Sequence, residues 1–213
     1  MIYAEHIFLC MLIPLLLSLL FVRSGARRYV ASFVLGMTVC LLSAYISGFL
    51  SVTAGMDSVD AAVFISPIVE ETMKFLPLLF WLYMLMPGDE SLTMIAVGIG
   101  AGFSTFENCC YILSSGAESF SYVLVRGMAV GVMHIVSMLT LSLALSVARR
   151  FKALSFPGIV GALSLSMSFH GLYNLLVSGP AAAQVTGYIL PMLTATILYG
   201  VFRMLHIFGK TEG

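Results

Sequence analysis

Residues 122–148 read YVLVRGMAVGVMHIVSMLTLSLALSVA. Arg126 and His134 are the only ionisable side chains in this run, which is otherwise apolar apart from scattered serine and threonine. A helix needs roughly 20 such residues to cross a bilayer. The run meets that length, and it is too long and continuous for a barrel strand. Working outward, six more runs have the same character. The spans are Glu5–Val22, Tyr29–Leu50, Ala61–Met86, Ser91–Leu113, Tyr122–Ala148, Phe156–Ser178 and Val185–Phe208. The breakers fall between them, at Ser24-Gly25, Gly55, Pro87-Gly88, Ser115-Gly116 and Gly179-Pro180, or at the start of a span, at Pro157-Gly158. The expected fold is an all-α membrane protein, a polytopic bundle of about seven transmembrane helices. It forms a single transmembrane domain over 1–213, with a core block of four helices at 61–178.

Composition demands the same solvent. Of 213 residues, 60% are hydrophobic and 9% charged, against roughly 25% charged in a soluble domain. The lipid bilayer must surround most of the surface. The formal net charge is zero, and the basic pairs are Arg27-Arg28 and Arg149-Arg150, so nucleic acid is excluded as a partner. Cys10, Cys40, Cys109 and Cys110 lie in apolar segments and read as small hydrophobes without a disulfide framework. The first segment carries Glu5 rather than a basic start, unlike a cleaved signal peptide.

Basic residues give the expected orientation. Arg23, Arg27 and Arg28 follow the first span, Arg149, Arg150 and Lys152 the fifth, and Arg203 and Lys210 end the seventh. The opposite loops hold Asp57, Asp60 and Glu118. The positive side faces the cytoplasm. This predicts a multi-pass cell-membrane protein with its N-terminus extracytoplasmic and its C-terminus cytoplasmic.

Ionisable residues inside the spans are the functional signal, because each costs roughly 2.5–3.5 kcal/mol on insertion scales. Span three holds Glu70, Glu71 and Lys74, span four Glu107-Asn108, span five Arg126 and His134, and span six His170 and Asn174. Counting inward at about 1.5 Å per residue from the outer ends places Glu70 roughly 14 Å deep. On that count Glu107 lies at roughly 9 Å, His134 at 18 Å and His170 at 12 Å. Such depths allow one shared cavity. Each group also has a plain reading. Glu70 and Lys74, at i, i+4, form a helix ion pair. Arg126 snorkels to the outer surface. His134, Asn108, and His170 with Asn174 bond across helices. His6 and His206 lie near span ends, and the methionines are apolar filling. The plain readings become expensive only when all must hold together. Pro67 and Pro77 flank the Glu70–Lys74 turn and free backbone carbonyls there. Gly98, Gly100 and Gly102, with Gly127 and Gly131, let helices approach closely.

Four stretches carry a family resemblance. Glu70-Glu71-Thr72-Met73-Lys74 resembles the E-E-x-x-K motif of PrsW-type intramembrane proteases, and Phe103-Ser104-Thr105-Phe106-Glu107-Asn108 their F-x-x-x-E-N motif. His134 follows, in a span with Arg126-Gly127 near its start, and His170-Gly171-Leu172-Tyr173-Asn174 resembles the terminal H-x-x-x-[N/D] motif. The wider clan of CAAX-processing and bacteriocin-processing proteases carries E-E-x-x-x-R and F-x-x-x-H. Lys74 comes one position earlier here, and Glu107 stands for that histidine, which favours the PrsW branch. The resemblance implies endopeptidase cleavage of a membrane-anchored, single-span protein substrate, notably an anti-sigma factor. A CAAX-type prenyl-protein protease is the alternative within the clan.

Peptide hydrolysis needs an activated water, a base and an oxyanion donor. G-x-S-x-G and H-E-x-x-H are absent, so carboxylates and histidines must activate water directly or through a divalent metal, zinc being the natural ion. Glu107, His134 and His170 are the expected ligands. Glu70 is the expected base, and Glu71 a ligand or supporting acid, the two remaining interchangeable at this stage. Asn174 would polarise the scissile carbonyl and Lys74 balance the carboxylates, with Asn108 and Arg126 in support. A proton- or cation-coupled transporter also places Glu, His and Asn at mid-membrane, but no repeat is visible and the polar groups form one block. A non-catalytic membrane scaffold is the third reading.

Overall fold

The computed structural model describes residues 4–115, 119–151 and 155–204. Gly116, Glu118, Lys152, His206 and Lys210 lie outside the described residues. Each expected span meets one long helix. These are α1 (Ala4–Ser18), α2 (Ser24–Ala54), α3 (Ser66–Leu85), α4 (Asp89–Ser115), α5 (Phe120–Arg150), α6 (Ser155–Val177) and α7 (Ala181–Met204). No strand occurs among the described residues. Helices α2, α5, α6 and α7 contain stretches long and apolar enough to cross a membrane. Helix α1 is a shorter apolar helix. Helix α3 carries Glu70, Glu71 and Lys74, and α4 carries Glu107, Asn108 and its glycines, which dilute their apolar character.

Local chemistry sets the helix ends. Gly55 closes α2 in the left-handed region at φ 66°, with its N–H turned back to the Ser51 and Val52 carbonyls. Asp57 then caps the next turn, accepting from the Val59 and Asp60 amides at 2.9 Å. Ser119 caps α5 by accepting from the Tyr122 amide at 3.2 Å. The third expected span is not one uniform helix. Ala61–Ile65 forms a π-helical turn before α3 begins at Ser66. In that turn the Ser66 N–H bonds to the Ala61 carbonyl, five residues back. The next donor in register would be residue 67, which is proline and has no N–H. The Ala62 carbonyl therefore lacks a backbone partner and accepts from Asn174 Nδ2 on α6 at 2.8 Å. This is the freed carbonyl expected at Pro67.

Glycines seat α4 in the middle of the bundle. A Cβ on Gly102 would run into the Phe33 carbonyl of α2, and one on Gly36 into the Ile99 carbonyl of α4. On another face, a Cβ on Gly100 would lie 2.8 Å from the His134 carbonyl of α5. These contacts bring α4 to backbone distance of both neighbours. Gly127, expected to serve the same end, faces open space. Three apolar clusters surround the level of the site. One joins Phe75, Leu78, Ile95, Ile99 and Leu141, a second Met37, Cys40, Phe103 and Phe106, and a third Ala129, Met133 and Tyr173. The surface is inverted relative to a soluble protein, with Phe21, Phe49, Phe80 and Phe156 exposed while Glu71, Lys74, His134 and His170 are buried.

Basic residues gather at one end. Arg149 donates to the Pro87 carbonyl at 2.5 Å, Arg149 and Arg150 pair with Asp89, and Arg28 donates to Ser91 Oγ at 3.0 Å. Partial burial works to raise the Asp89 carboxyl. The bonds from Arg150 and Arg149 and the charge of Arg149 outweigh it and hold the group below the usual carboxylate range.

Candidate active site

Four helices bring the ionisable residues of the sequence together at one level. The anchor is Glu71 on α3, whose side chain is fully buried. Its Oε1 accepts from Lys74 Nζ at 2.7 Å and from His170 Nδ1 at 2.8 Å, and its Oε2 accepts from Ser137 Oγ at 2.5 Å. The ion pair of α3 is thus Glu71–Lys74 at i, i+3, not the expected Glu70–Lys74. Residues 70 and 71 point about 100° apart around a helix, and only the second faces the Lys74 ammonium.

Bond partners fix the state of each imidazole. Lys74 Nζ also meets His134 Nδ1 at 2.7 Å. An ammonium can only donate, so Nδ1 accepts and the ring proton sits on Nε2. That nitrogen donates to Glu107 Oε2 at 2.6 Å. His170 is the reverse case. Its Nδ1–H donates to Glu71, which leaves Nε2 with a lone pair, 3.8 Å from Glu70 Oε2. The two rings stand edge to face with centroids 5.0 Å apart. Phe103 closes the apolar side, 4.7 Å from the His134 ring and 4.9 Å from Lys74 Nζ.

Glu70 and Glu107 face a cavity of about 320 Å³ also lined by Arg126, His170, Tyr173 and Asn174. Glu70 Oε2 is buried there without a hydrogen-bond partner. Arg126 does not snorkel away. Its guanidinium stacks on the Tyr111 ring at 3.4 Å and reaches Glu107 Oε1 at 3.6 Å. Asn174 lines the cavity, and its amide nitrogen gives one of its two hydrogens to the Ala62 carbonyl, a positioning task beside the expected polarising one. Asn108 Oδ1 is buried without a partner, so its carbonyl makes no cross-helix bond.

Among the described residues, Glu70, His134 and His170 bring possible ligand atoms within 4.8 Å of one another. The expected ligand set had Glu107 in place of Glu70, and the packing gives Glu107 instead to His134 Nε2 and Arg126. Two imidazoles and one carboxylate are a known donor set for catalytic zinc with an open position. The Glu71 carboxylate behind His170 is the usual orienting partner of a ligating histidine. The orphaned Glu70 oxygen adds an unused donor. His170 Nε2 and Glu70 Oε2 are free to take a divalent cation, and His134 would join them only by releasing Lys74 or Glu107.

Sequence reading passed over Ser137, Tyr111, Tyr122 and Tyr173. Ser137 lies three residues after His134, on the same face of α5, and that spacing was a usable signal. The tyrosines carried none, since an aromatic in a span reads as ordinary filling.

Residues 25–202 match the model of the PrsW family intramembrane metalloproteases. The chain belongs to this family. No curated protein and no solved structure matches it. The match covers every cluster residue named above and leaves out α1. Membership, with the apolar helices, makes this a membrane-embedded protein with the role of a membrane protease. It favours that role over the transporter and scaffold readings, and the PrsW branch over the CAAX-processing one.

Proposed function

We propose that this PrsW-family protein is an endopeptidase that hydrolyses a peptide bond of a membrane-anchored, single-span protein. The observation that carries this reading is the unpartnered Glu70 oxygen beside the lone-pair nitrogen of His170 in one cavity. Glu70 takes a proton from water as the water oxygen attacks the scissile carbonyl carbon. The tetrahedral adduct then collapses, the C–N bond breaks, and Glu70 returns the proton to the leaving amine. His170 orients the water and is itself held by Glu71. Asn174 fixes the π turn against α6, which sets the wall of the cavity. Glu70 and His170, joined by His134 once it releases Lys74 or Glu107, would hold a divalent cation, zinc by donor type, and such an ion would acidify water and polarise a carbonyl.

The test is metal content measured beside cleavage on purified protein. Wild type should carry about one divalent ion per chain, and chelation should stop hydrolysis. His170→Ala should lose both ion and activity. Full activity in a metal-free preparation would leave Glu70 and the histidines as a direct water-activating network.

Seven spans with the arginine-rich end in the cytoplasm would put the cavity in the outer half of the membrane. Reporter fusions after Arg150 and after Lys210 should read cytoplasmic, and one near Ser115 external. A cytoplasmic signal at Ser115 removes the seven-span topology.

A further inference from the structure

Six buried side-chain polar atoms among the described residues lack a hydrogen-bond partner. Three belong to residues lining the single 320 Å³ cavity, namely Glu70 Oε2, Arg126 Nε and Tyr173 Oη. Leaving a polar group buried and unmade is costly, more so for a charged one. Three such groups around one cavity form a pattern. One is an acceptor, a carboxylate oxygen. Two are donors, a guanidinium N–H and a phenol O–H. A carbonyl under attack by water requires this complement, an acceptor for the water proton and donors for the oxygen that gains charge.

The placement of the two donors agrees. Arg126 lies eight residues before His134 on α5, and Tyr173 three residues after His170 on α6. The two helices run in opposite directions, so both donors lie on the same side of the histidine level. Glu107 links Arg126 to that level, with Oε1 3.6 Å from the guanidinium and Oε2 2.6 Å from His134 Nε2. Stacking on Tyr111 fixes the guanidinium plane and leaves its Nε edge unbonded. Asn174 also lines the cavity and gives one of its two N–H groups to Ala62.

We infer that Arg126 and Tyr173 are the oxyanion donors of this protease and thus catalytic residues. The inference rests on the hydrolytic reading above. As the water oxygen bonds to the carbonyl carbon, the π pair of the C=O moves onto oxygen and the water proton moves to Glu70. Arg126 Nε–H and Tyr173 Oη–H donate to that oxygen until the C=O reforms, the C–N bond breaks and the amine takes the proton from Glu70. All three atoms are shielded from the cavity space, so bound substrate has to turn them toward itself.

The experiment uses the full chain in proteoliposomes with a single-span substrate. Tyr173→Phe and Arg126→Lys should lower kcat by about 100–1,000-fold, the range for loss of one oxyanion donor, with KM changed by less than about threefold. A substrate peptide with a phosphinate at the scissile position, a tetrahedral mimic, should lose affinity for both variants while the unmodified peptide does not. Thermal unfolding of Tyr173→Phe should match wild type, because the ring keeps its packing. Normal kcat in Tyr173→Phe overturns the inference. So does an Arg126→Met effect on phosphinate binding that vanishes in a Glu107→Gln background, since Arg126 then only neutralises Glu107. In either case wild-type cleavage shows that the hydrolytic reading survives. Wild type that neither cleaves nor binds the phosphinate overturns both.

Discussion

Glu70→Gln stops peptide hydrolysis and leaves the bundle folded. The amide matches the carboxylate in size, and Glu70 Oε2 makes no hydrogen bond that the change would break. The change removes the ability to take and return a proton, together with the anionic donor that Glu70 would offer a cation. General acid–base catalysis contributes roughly 100-fold or more, so cleavage should fall by at least about that factor, with expression and detergent behaviour near wild type. The product made by wild type and absent from the variant locates the cut by mass spectrometry. If the arginine-rich end faces the cytoplasm, the cavity lies in the outer half of the membrane and the cut should fall near the extracytoplasmic end of the substrate span. Its backbone there has to be unwound, because helical amides are bonded to one another. Activity retained in both Glu70→Gln and Glu71→Gln removes the site assignment, and a cytoplasmic cut removes the depth argument.

Lys74→Met is expected to have the largest effect on stability. The Lys74 ammonium is fully buried and holds both the Glu71 carboxylate and His134 Nδ1 at 2.7 Å. Its removal leaves a buried carboxylate facing only Ser137 and His170. Breaking one partner of a buried ion pair costs about 3–5 kcal/mol, which should appear as a marked fall in the thermal midpoint in detergent. The double variant Glu71→Gln/Lys74→Met removes both charges and should recover part of the loss. An unchanged midpoint in Lys74→Met would mean that the pair carries little of the packing.

The same pair shows how far the sequence could be read. The insertion cost of charge in lipid marks Glu70, Glu71 and Lys74 as a group that must find partners, whatever the packing. It does not say which carboxylate the lysine takes. Residues 70 and 71 differ by one helical step, and the rotation of α3 decides between them. His134 and His170 were legible as inward histidines for the same reason. Their opposite hydrogen-bond states depend on having Lys74 behind one ring and Glu71 behind the other.

Local chemistry was legible where its partner lies a few residues away. Gly55, Asp57 and Ser119 end or cap helices through their own backbone and near neighbours. Pro67 announced a freed carbonyl, but the donor that takes it, Asn174, comes from a helix more than 100 residues later. Arg126 near the outer end of a span reads as a snorkelling side chain, and only the position of Glu107 and Tyr111 turns it inward.

By itself the sequence determined the solvent, the helices and the identity of the polar cluster. Hydrophobic run length, helix breakers and the cost of buried charge act along the chain and need no knowledge of neighbours. The tertiary structure alone decided which groups meet. It paired Glu71 with Lys74, set Glu70 rather than Glu107 among the three close donors, and left Tyr173 Oη and Arg126 Nε without hydrogen-bond partners. The physical reason is helix rotation. Backbone contacts at Gly36, Gly100 and Gly102 fix how α2, α4 and α5 are turned, and a turn of one residue moves a side chain by about 100°.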